Sequence, residues 1–489
     1  MSNAALKTTD AGHDHSHAQN RFAVIPTPAR LDADPGYAGR GVTMAFLDSG
    51  FYPHPDLTQP RNRIKAFFDV AGEESSPGLT PEPWRWHGTQ TAVAAAGAGL
   101  LSEGVYRGVA REASLVLVKA SERGRITEEA IARGLEWVVE HRERLDIRVL
   151  NISLGGDEDA PCSQSVIDRA AERAVAEGIV VVVAAGNNGD GERTRSIPPA
   201  NSPSVITVGG YDDNNSSERG RLELYHSNYG PTADGAVKPE IVGPAMWVAA
   251  PILPGTEAYK SAECLSRLNA APDYLLPGLL RGLWRDAGLP ESVLYEGADA
   301  ARELIDSRLR EGKVVAAHYQ HVDGTSFAAP VVSSVVAQML EANPRLTPAA
   351  VKHILISTAD RIAGAPHARQ GYGVLNARRA VAESLREPHA LDAASYGPPR
   401  ASAGGVLFSF HDDSAREVSL AGDFNGWNPS PTRFVKGADG VWLASVGGLR
   451  PGRYRYKLVV DGARWTDDPA NGLKEPDEFG GFNSVLNVV

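Results

Sequence analysis

The sequence predicts an α/β fold with a doubly wound parallel sheet, followed by a small all-β sandwich of the immunoglobulin type. Three observations carry this prediction: nearly unbroken β-branched runs between residues 42 and 210, helix-compatible stretches between those runs, and short alternating segments after residue 405. Unbroken apolar runs indicate strands that are buried on both faces, as in parallel sheets. Short alternating segments separated by turn residues indicate an antiparallel sandwich.

The first part of the chain contains five strand candidates and two long helix candidates. The strand candidates are VTMAFLD (42–48), SLVLVKA (114–120), IRVLNISL (147–154), GIVVVVAAG (178–186) and SVITVGG (204–210). The helix candidates are the stretches 126–145 and 163–178. Their alternation gives repeated βα units, and such sheets bind ligands at the carboxyl ends of their strands. We therefore expect functional residues to follow the strand ends.

The character of the chain changes after residue 385. Residues 386–404 are rich in Pro, Gly, Ala and Ser and show no periodicity, which is typical of a linker. Beyond the linker come the alternating segments EVSLAG (417–422), WLASV (442–446) and YRYKLVV (454–460). The expected organisation is a disordered tail at 1–20, an α/β domain at 21–385 with an insertion at about 257–320, the linker, and a sandwich at 405–489.

Composition excludes several classes of partner. Lys and Arg number 49 against 60 Asp and Glu, a net charge of −11 without a basic cluster, so no nucleic-acid partner is expected. No apolar stretch of about 18 residues occurs, and no signal peptide is apparent, so neither a membrane partner nor secretion is expected. With only Cys162 and Cys264, the composition favours the cytoplasm. His13, His15 and His17 could converge on a metal, although a mobile tail explains them more simply.

Three residues suggest nucleophilic catalysis. Asp48 ends the first strand, His87 opens a helix of small residues, and Ser326 begins a second apolar helix. A serine hydroxyl needs an imidazole to take its proton and a carboxylate to hold that imidazole in the right tautomer. Each residue alone has an ordinary structural explanation, so the prediction rests on their joint occurrence. The order Asp, His, Ser differs from chymotrypsin-like enzymes and from α/β-hydrolases, and it is the order of subtilisin.

Three sequence motifs around these residues resemble those of the subtilisin-like serine proteases. LDSGFYPHPDL (47–57), HGTQTA (87–92) and GTSFAAPVV (324–332) are similar to the aspartate, histidine and serine motifs of that family. The segments between them, including VLNISLGG, VVVAAGNNG and KPEIVGP, also resemble family segments from about residue 38 to 383. The resemblance implies a subtilisin-like fold and an endopeptidase.

The same resemblance implies further roles in the cleft. It places Asn187, in AAGNNG, at the oxyanion position, where a side-chain amide bonds the developing alkoxide. It places Ser153, Leu154 and Gly155 beside an extended substrate that adds to them as a strand. The expected substrates are unfolded or loop segments of polypeptides.

The chain departs from the family pattern in three places. Only 47 residues precede Asp48, so we expect any pro-peptide to be short, as in intracellular members. The segment LLSEG (100–104) stands where many relatives have calcium-binding asparagines. Asp56, Ser102 and Glu103 offer oxygens for calcium, but a structural turn explains them equally well, so no metal is assigned and no other cofactor is expected. The helical insertion either gates the cleft or simply packs on the surface.

The C-terminal part resembles a second family. VSLAGDFNGWNP (418–429), PGRYRYKLVVDGARWTDDP (451–469) and GGFNSVLNV (480–488) are similar to the glycogen-binding modules of AMP-activated protein kinase and of branching enzymes. The resemblance implies an α-glucan partner. It makes Trp427 and Trp465 platforms for glucose rings, with Lys457 and Asn483 bonding hydroxyls and Phe479 near the edge. One alternative is a module that packs beside the catalytic domain or docks a partner. The tryptophans could also simply fill the sandwich core.

Two other functions were weighed against an endopeptidase. One is a carbohydrate-binding or scaffold protein with a degenerate protease domain, which the intact set of catalytic residue types disfavours. The other is a lipase or esterase that uses Ser326 with Asp360 and His367. The spacings of 34 and 7 residues leave too little room for the intervening sheet elements of that fold.

Overall fold

The computed structural model describes residues 22–122, 124–156, 160–191, 195–218, 221–386, 397–402, 405–412, 414–437 and 440–488. The tail with His13, His15 and His17, and most of the expected linker, lie outside the described residues. Within the described ranges, no helix combines the length and the apolar character that crossing a membrane requires.

A central parallel sheet organises the first part of the chain. Its parallel strands lie side by side in the order Ile241–Pro244, Ile206–Asp212, Val180–Ala184, Ile147–Ile152, Thr43–Asp48, Ser114–Lys119 and Ile64–Asp69. A short antiparallel strand, Glu223–Leu224, adds to Ile206–Asp212. The chain starts at the central strand Thr43–Asp48, forms the strands on one side of it, and then forms the strands on the other side. The predicted doubly wound sheet is therefore confirmed.

The strands alternate their side chains between two apolar layers. Met44 and Phe46 belong to one core, and Ala45 and Leu47 belong to the other. One face is covered by the helices Glu128–Leu145 and Val166–Ala176. The opposite face is covered by the helices Trp86–Ala96, Thr325–Ala342, Pro348–Thr358 and Ala377–Arg386. Burial on both faces explains the unbroken apolar runs in the sequence.

Two parallel strands of this sheet were not predicted from the sequence. Ile64–Asp69 lies at an edge and is mostly half-buried, so it lacks an unbroken apolar run. Ile241–Pro244 has four residues, of which one is Gly and one is Pro. Ile64–Asp69 carries a weak pattern because only part of this edge strand is buried, whereas Ile241–Pro244 is fully buried but is short and contains Gly and Pro.

The segment between the sheet and the second apolar helix forms a small subdomain. Its helices Glu257–Ala270, Leu276–Leu283 and Ala298–Glu311 share a separate apolar core. The chain then forms the strands Val314–Ala316 and Tyr319–Val322, of which the second pairs with Val248–Pro251. Smaller elements are the helices Thr27–Arg30, Pro55–Thr58 and His367–Gln370 and the strand pairs Ser121–Glu122 with Arg125–Ile126 and Gly230–Pro231 with Val237–Lys238.

The C-terminal part is an antiparallel sandwich, as predicted. One sheet contains Arg400–Ser402, Gly405–His411, Val441–Val446 and Val435–Lys436. The other contains Val418–Gly422, Gly452–Val460, Phe482–Val488, Lys474–Pro476 and Arg464–Thr466. Side chains from both sheets form one apolar core. The strand Arg400–Ser402 lies inside the stretch expected to be linker, and it pairs with the first residues of the strand Gly405–His411.

The sandwich is docked on the α/β part through backbone and side-chain contacts. The N–H of Lys474 donates to the carbonyl of Gly235 at 3.2 Å, and the N–H of Val237 donates to the carbonyl of Gly472 at 3.1 Å. The Lys474 ammonium also lies 4.4 Å from the centre of the Tyr372 ring. These contacts join the edge strand Lys474–Pro476 to the α/β part, so the two parts meet along an extended backbone seam.

Candidate active site and carbohydrate groove

Asp48 and His87 form a hydrogen-bonded pair at the carboxyl end of the central sheet. His87 Nδ1 lies 2.8 Å from Asp48 Oδ1. The carboxylate is almost fully buried and also accepts the N–H of Ser49 at 2.7 Å and the hydroxyl of Thr91 at 3.1 Å. A carboxylate beside Nδ1 holds the tautomer in which Nδ1 carries the proton, so Nε2 is left as the basic atom.

Gly88 explains how the helix that begins at Trp86 comes so close to the sheet. A Cβ atom on Gly88 would lie 2.4 Å from the carbonyl oxygen of Gly50 and 2.9 Å from Cβ of Asp48. Neither neighbour can move, because one is backbone and the other is the buried aspartate. The glycine of the HGT motif is therefore required for the contact between Asp48 and His87.

The environment makes His87 more basic than an ordinary histidine. Burial alone would lower the pKa of the imidazole, but the charge of Asp48 and its hydrogen bond together outweigh burial. The pKa of His87 is therefore raised above its ordinary value of 6.5. A raised pKa favours proton uptake from a hydroxyl group.

Ser326 lies at the N-terminus of the helix Thr325–Ala342, which packs against the helix of His87. The Phe327 ring is centred 5.7 Å from the His87 imidazole. Ser326 Oγ is 3.4 Å from the carbonyl oxygen of Ser153, a long and weak hydrogen bond. The serine thus faces the ends of the strands, where the helix N-terminus favours developing negative charge.

Ser153 ties the serine helix to the sheet. Its hydroxyl donates to the carbonyl oxygen of Ser326 at 2.9 Å and accepts the Asn151 amide at 3.0 Å. Asn151 in turn accepts the hydroxyl of Ser333 at 3.1 Å. These buried bonds fix the start of the helix against the strand Ile147–Ile152, so the position of Ser326 depends on both elements.

Leu154 and Gly155 continue the same strand end into the cleft. Leu154 is half-buried, whereas Gly155 is exposed. A Cβ atom on Gly155 would lie 2.9 Å from the carbonyl oxygen of Pro198, so the backbone here runs close to a neighbouring loop. Part of this segment is therefore open to solvent.

Asn187 follows the neighbouring strand Val180–Ala184 and has a fixed orientation. Its Oδ1 atom accepts the N–H of Thr325 at 2.9 Å and the hydroxyl of Thr325 at 3.1 Å. The same hydroxyl accepts the N–H of Gly186 at 3.1 Å. Because Thr325 holds Oδ1, the NH₂ group of the Asn187 amide is turned away from Thr325. In that position the NH₂ group can act as a donor.

The five candidate carbohydrate-binding residues line one open groove on the sandwich. The groove is bordered by Trp427, Lys457, Trp465, Phe479 and Asn483. Trp465 and Phe479 are 44% and 92% exposed. The Lys457 ammonium is paired with the Asp477 carboxylate, which the sequence analysis did not include.

The two groove tryptophans lie outside the sandwich core. The buried core aromatics are Phe408, Phe410, Phe434, Trp442 and Tyr456. Trp427 is half-buried, and its indole N–H donates to the carboxylate of Asp423 at 3.0 Å. The alternative in which the groove tryptophans fill the core is therefore wrong.

Comparison with known proteins identifies the two parts of the chain. Residues 39–373 match the model of the subtilase family. The chain belongs to the subtilase family. Residues 395–471 match carbohydrate-binding module 48, described as the isoamylase N-terminal domain. The chain thus combines a subtilisin-like serine protease domain with a C-terminal carbohydrate-binding module.

Individual relatives cover different shares of this subtilase. Serine protease AprX of Bacillus subtilis strain 168 is 32% identical over 352 residues, which cover 70% of this chain and 66% of the relative. The major intracellular serine protease of the same organism is 35% identical over 179 residues, covering 36% of this chain and 52% of the relative. The chain therefore spans between about half and two thirds of the length of these two relatives.

A solved structure confirms the fold. Fervidolysin from Fervidobacterium pennivorans, a keratinolytic enzyme related to subtilisin, superposes with a TM-score of 0.51. The match covers 88% of this chain and 54% of fervidolysin, at 21% sequence identity. At that identity the likeness concerns the fold alone.

The residues considered for calcium in this subtilase do not fit a cation site. Asp56 is fully buried, and its carboxylate accepts the N–H of Leu100 at 2.7 Å and the hydroxyl of Tyr319 at 2.9 Å. Burial raises the pKa of Asp56, which disfavours the charged form that calcium needs. Glu103 is exposed, and the Ser102 hydroxyl donates to the carbonyl of Gly99. Across the described ranges, no group of three or more His, Cys, Asp or Glu could hold a metal.

Motif analysis missed several residues that shape this site. Thr91 supports Asp48, and Thr325 orients Asn187. Asn151 and Ser333 fix the serine helix. Both threonines lie inside the quoted motifs, so their position was visible, but their hydrogen-bond partners lie far away in sequence and become apparent only in the fold.

We expect the pKa of His87 to lie above 6.5 and to depend on Asp48. In the Ser326→Ala protein, imidazole NMR titration should give a midpoint above that value, with the resonance assigned by His87→Gln. Asp48→Asn removes the charge that stabilises the imidazolium, so the His87 midpoint should fall. An unchanged midpoint in Asp48→Asn would contradict this account of the pair.

Proposed function

We propose that the chain is a serine endopeptidase that cleaves polypeptides through Asp48, His87 and Ser326. The observation that carries the proposal is the 2.8 Å bond between Asp48 and His87 Nδ1 on a helix packed against the helix of Ser326. Membership of the subtilase family supports the same conclusion. A binding protein with an incidental protease domain would not need the buried aspartate that holds this imidazole.

The proposed reaction begins at Ser326. Its hydroxyl proton passes to His87 Nε2 while Oγ bonds to the carbonyl carbon, giving a tetrahedral intermediate with a negative oxygen. His87 then donates that proton to the departing amine, and the C–N bond breaks to leave an acyl-enzyme. Water repeats the sequence on the ester and releases the acid. Asp48 stays ionised throughout and stabilises the imidazolium form of His87.

Asn187 is the proposed donor to the negative oxygen. Thr325 holds Oδ1 of its amide, so NH₂ is available as a donor near the start of the serine helix. A donor fixed before the reaction needs no reorganisation when the charge develops. The helix N-terminus at Thr325 favours the same charge.

The proposed substrates are unfolded or loop segments. Ser153, Leu154 and Gly155 form a strand end whose last residue is exposed, and an extended peptide can add to it as a further strand. A folded helix or a buried strand cannot offer its backbone in this way, because its N–H and C=O groups are already paired.

Ser326→Ala should abolish both casein cleavage and labelling by a fluorophosphonate, since the nucleophile is lost. His87→Ala should abolish both as well, because no other group takes the proton. Ser357→Ala is the matched control, since its hydroxyl donates to the carbonyl of Ile354 on a different helix. Undiminished labelling of Ser326→Ala would show that the reactive serine lies elsewhere.

Asn187→Ala should lower kcat by about 10²–10³ and leave KM nearly unchanged, because the contact strengthens only in the transition state. Steady-state kinetics on one peptide substrate measures both constants. A loss confined to KM would instead assign Asn187 to substrate positioning. The thermal midpoint of the variant serves as a control for folding.

For the C-terminal module, we propose binding of an α-glucan such as glycogen or starch. The supporting observation is the groove in which Trp465 and Phe479 are exposed and Trp427 is half-buried, while Lys457 and Asn483 supply polar groups. Flat aromatic faces match the apolar faces of sugar rings, and polar neighbours fix their orientation. The match to carbohydrate-binding module 48 supports this class of ligand.

Retention of the Ser326→Ala protein on amylose resin tests the glucan proposal without self-cleavage. Adding Trp427→Ala and Trp465→Ala should abolish retention, because the stacking faces are lost. Adding Tyr295→Ala, which removes an aromatic ring that is 82% exposed outside the module, should leave retention intact. Equal retention of all three proteins, or of none, would contradict the proposal.

We also propose that the protein acts in the cytoplasm. Its proposed domains are a protease domain and the sandwich module that is docked on it. Cys162 and Cys264 both have free thiols, which suits a reducing compartment. One relative is named the major intracellular serine protease. Cell fractionation with an antibody against the chain would test the location directly.

A further inference from the structure

An exposed tryptophan stands directly beside the candidate base. Trp86 precedes His87 in the chain and is 43% exposed. Its ring is centred 5.4 Å from the imidazole and is nearly perpendicular to it, at 84°. Large aromatic side chains are usually buried in a core or placed at an interface, because leaving them in water costs free energy. The position of Trp86 at the cleft therefore suggests that something covers it during the reaction.

The loop that leads to Trp86 is held by buried charges. The Arg85 guanidinium donates to the carbonyl and hydroxyl oxygens of Thr80 at 2.7 and 2.6 Å and to Glu74 at 2.7 Å. Glu74 also lies 3.4 Å from the ammonium of Lys119, which is buried beside Asp69. The residue before Trp86 is thus anchored to the ends of two sheet strands.

The neighbouring tryptophan fixes the same segment from the other side. The carbonyl oxygen of Trp84 accepts the hydroxyl of Ser49 at 2.8 Å. A Cβ atom on Gly50 would lie 3.2 Å from the Trp84 ring, and one on Gly124 would lie 3.6 Å from Trp84 Cβ. Since Ser49 directly follows Asp48, the segment that carries Trp86 is pinned to the turn beside the catalytic aspartate.

We propose that Trp86 determines substrate preference by packing against an aromatic or large aliphatic side chain of one of two substrate residues: the one just before the residue whose carbonyl is attacked, or the one just after the scissile bond. The inference rests on the proposed peptidase function. When the carbonyl carbon of a peptide reaches Ser326, a neighbouring residue of that peptide lies close to the His87 imidazole. The centre of the Trp86 indole is only 5.4 Å from the centre of that imidazole. Aromatic pairs attract at centroid separations of about 4.5–7 Å.

The contacts of the loop hold Trp86 in place before a substrate binds. Because Arg85 and Trp84 hold the backbone on both sides, little conformational entropy is lost when a substrate side chain arrives. No charged group is needed for this contact, so the preference should follow the size and aromaticity of the side chain. An alanine at the same position of the peptide would leave the indole uncovered.

Two pairs of fluorogenic peptides test the proposal. One pair has Phe or Ala immediately before the residue whose carbonyl is attacked, and the other has Phe or Ala immediately after the scissile bond. The ratio of kcat/KM for Phe over Ala is measured for the wild type, Trp86→Ala, Trp86→Phe and the control Tyr295→Ala. At one of the positions, Trp86→Ala should lower the ratio about tenfold, and Trp86→Phe should retain most of it.

Three results would overturn the proposal. If Trp86→Ala lowers kcat/KM by the same factor for every peptide, the indole acts only through the position of His87. If kcat/KM is unchanged for every peptide, the indole neither contacts substrate nor affects His87. If Tyr295→Ala lowers the ratio as much as Trp86→Ala, the effect is not specific to the cleft.

A failure of the proposed peptidase function would give a different result from a failure of the Trp86 proposal. In that case the wild type would cleave none of the peptides and would not react with a fluorophosphonate. Thermal midpoints of the variants show whether they fold. If Trp86→Ala is unstable, Trp86→Gln replaces it, because glutamine fills part of the same space while it removes the apolar ring, so the ratio should again fall.

Discussion

The burial of the central sheet on both faces is the constraint on which the rest of the structure depends. Helices cover the two faces, so the ends of the strands are the part of the sheet left open to ligands. Asp48, Ser153 and Asn187 all follow carboxyl ends of parallel strands, and those ends meet at one edge. The strand order changes direction beside Thr43–Asp48, which opens a crevice there.

Hydrogen bonds then convert this crevice into a defined arrangement. Ser153 joins the strand Ile147–Ile152 to Ser326, and Thr325 joins the serine helix to Asn187. The same helix packs against the helix of His87, whose imidazole is held by buried Asp48. Each candidate group is therefore oriented by a neighbour from a different element, which is the condition for preorganised catalysis.

The C-terminal module adds a second surface to the protease domain. Its edge strand pairs with the α/β part through Lys474 and Gly472, while the groove with Trp427 and Trp465 stays open. Docking and the proposed ligand recognition thus use different residues of one small sandwich. Under the proposed function, the backbone seam would hold the protease domain at a fixed place relative to a glucan surface.

The sequence by itself determined the order of the candidate catalytic residues, because Asp48, His87 and Ser326 lie in short contiguous motifs that encode local turns and helix starts. It also determined the buried strands, because burial on both faces leaves an unbroken apolar run. Only the tertiary structure decided that Trp465 faces a groove, since a shift of one residue in strand register would have turned it inward. The exposure of Trp86 likewise depends on Arg85 and Glu74, whose contacts join segments that no local pattern connects.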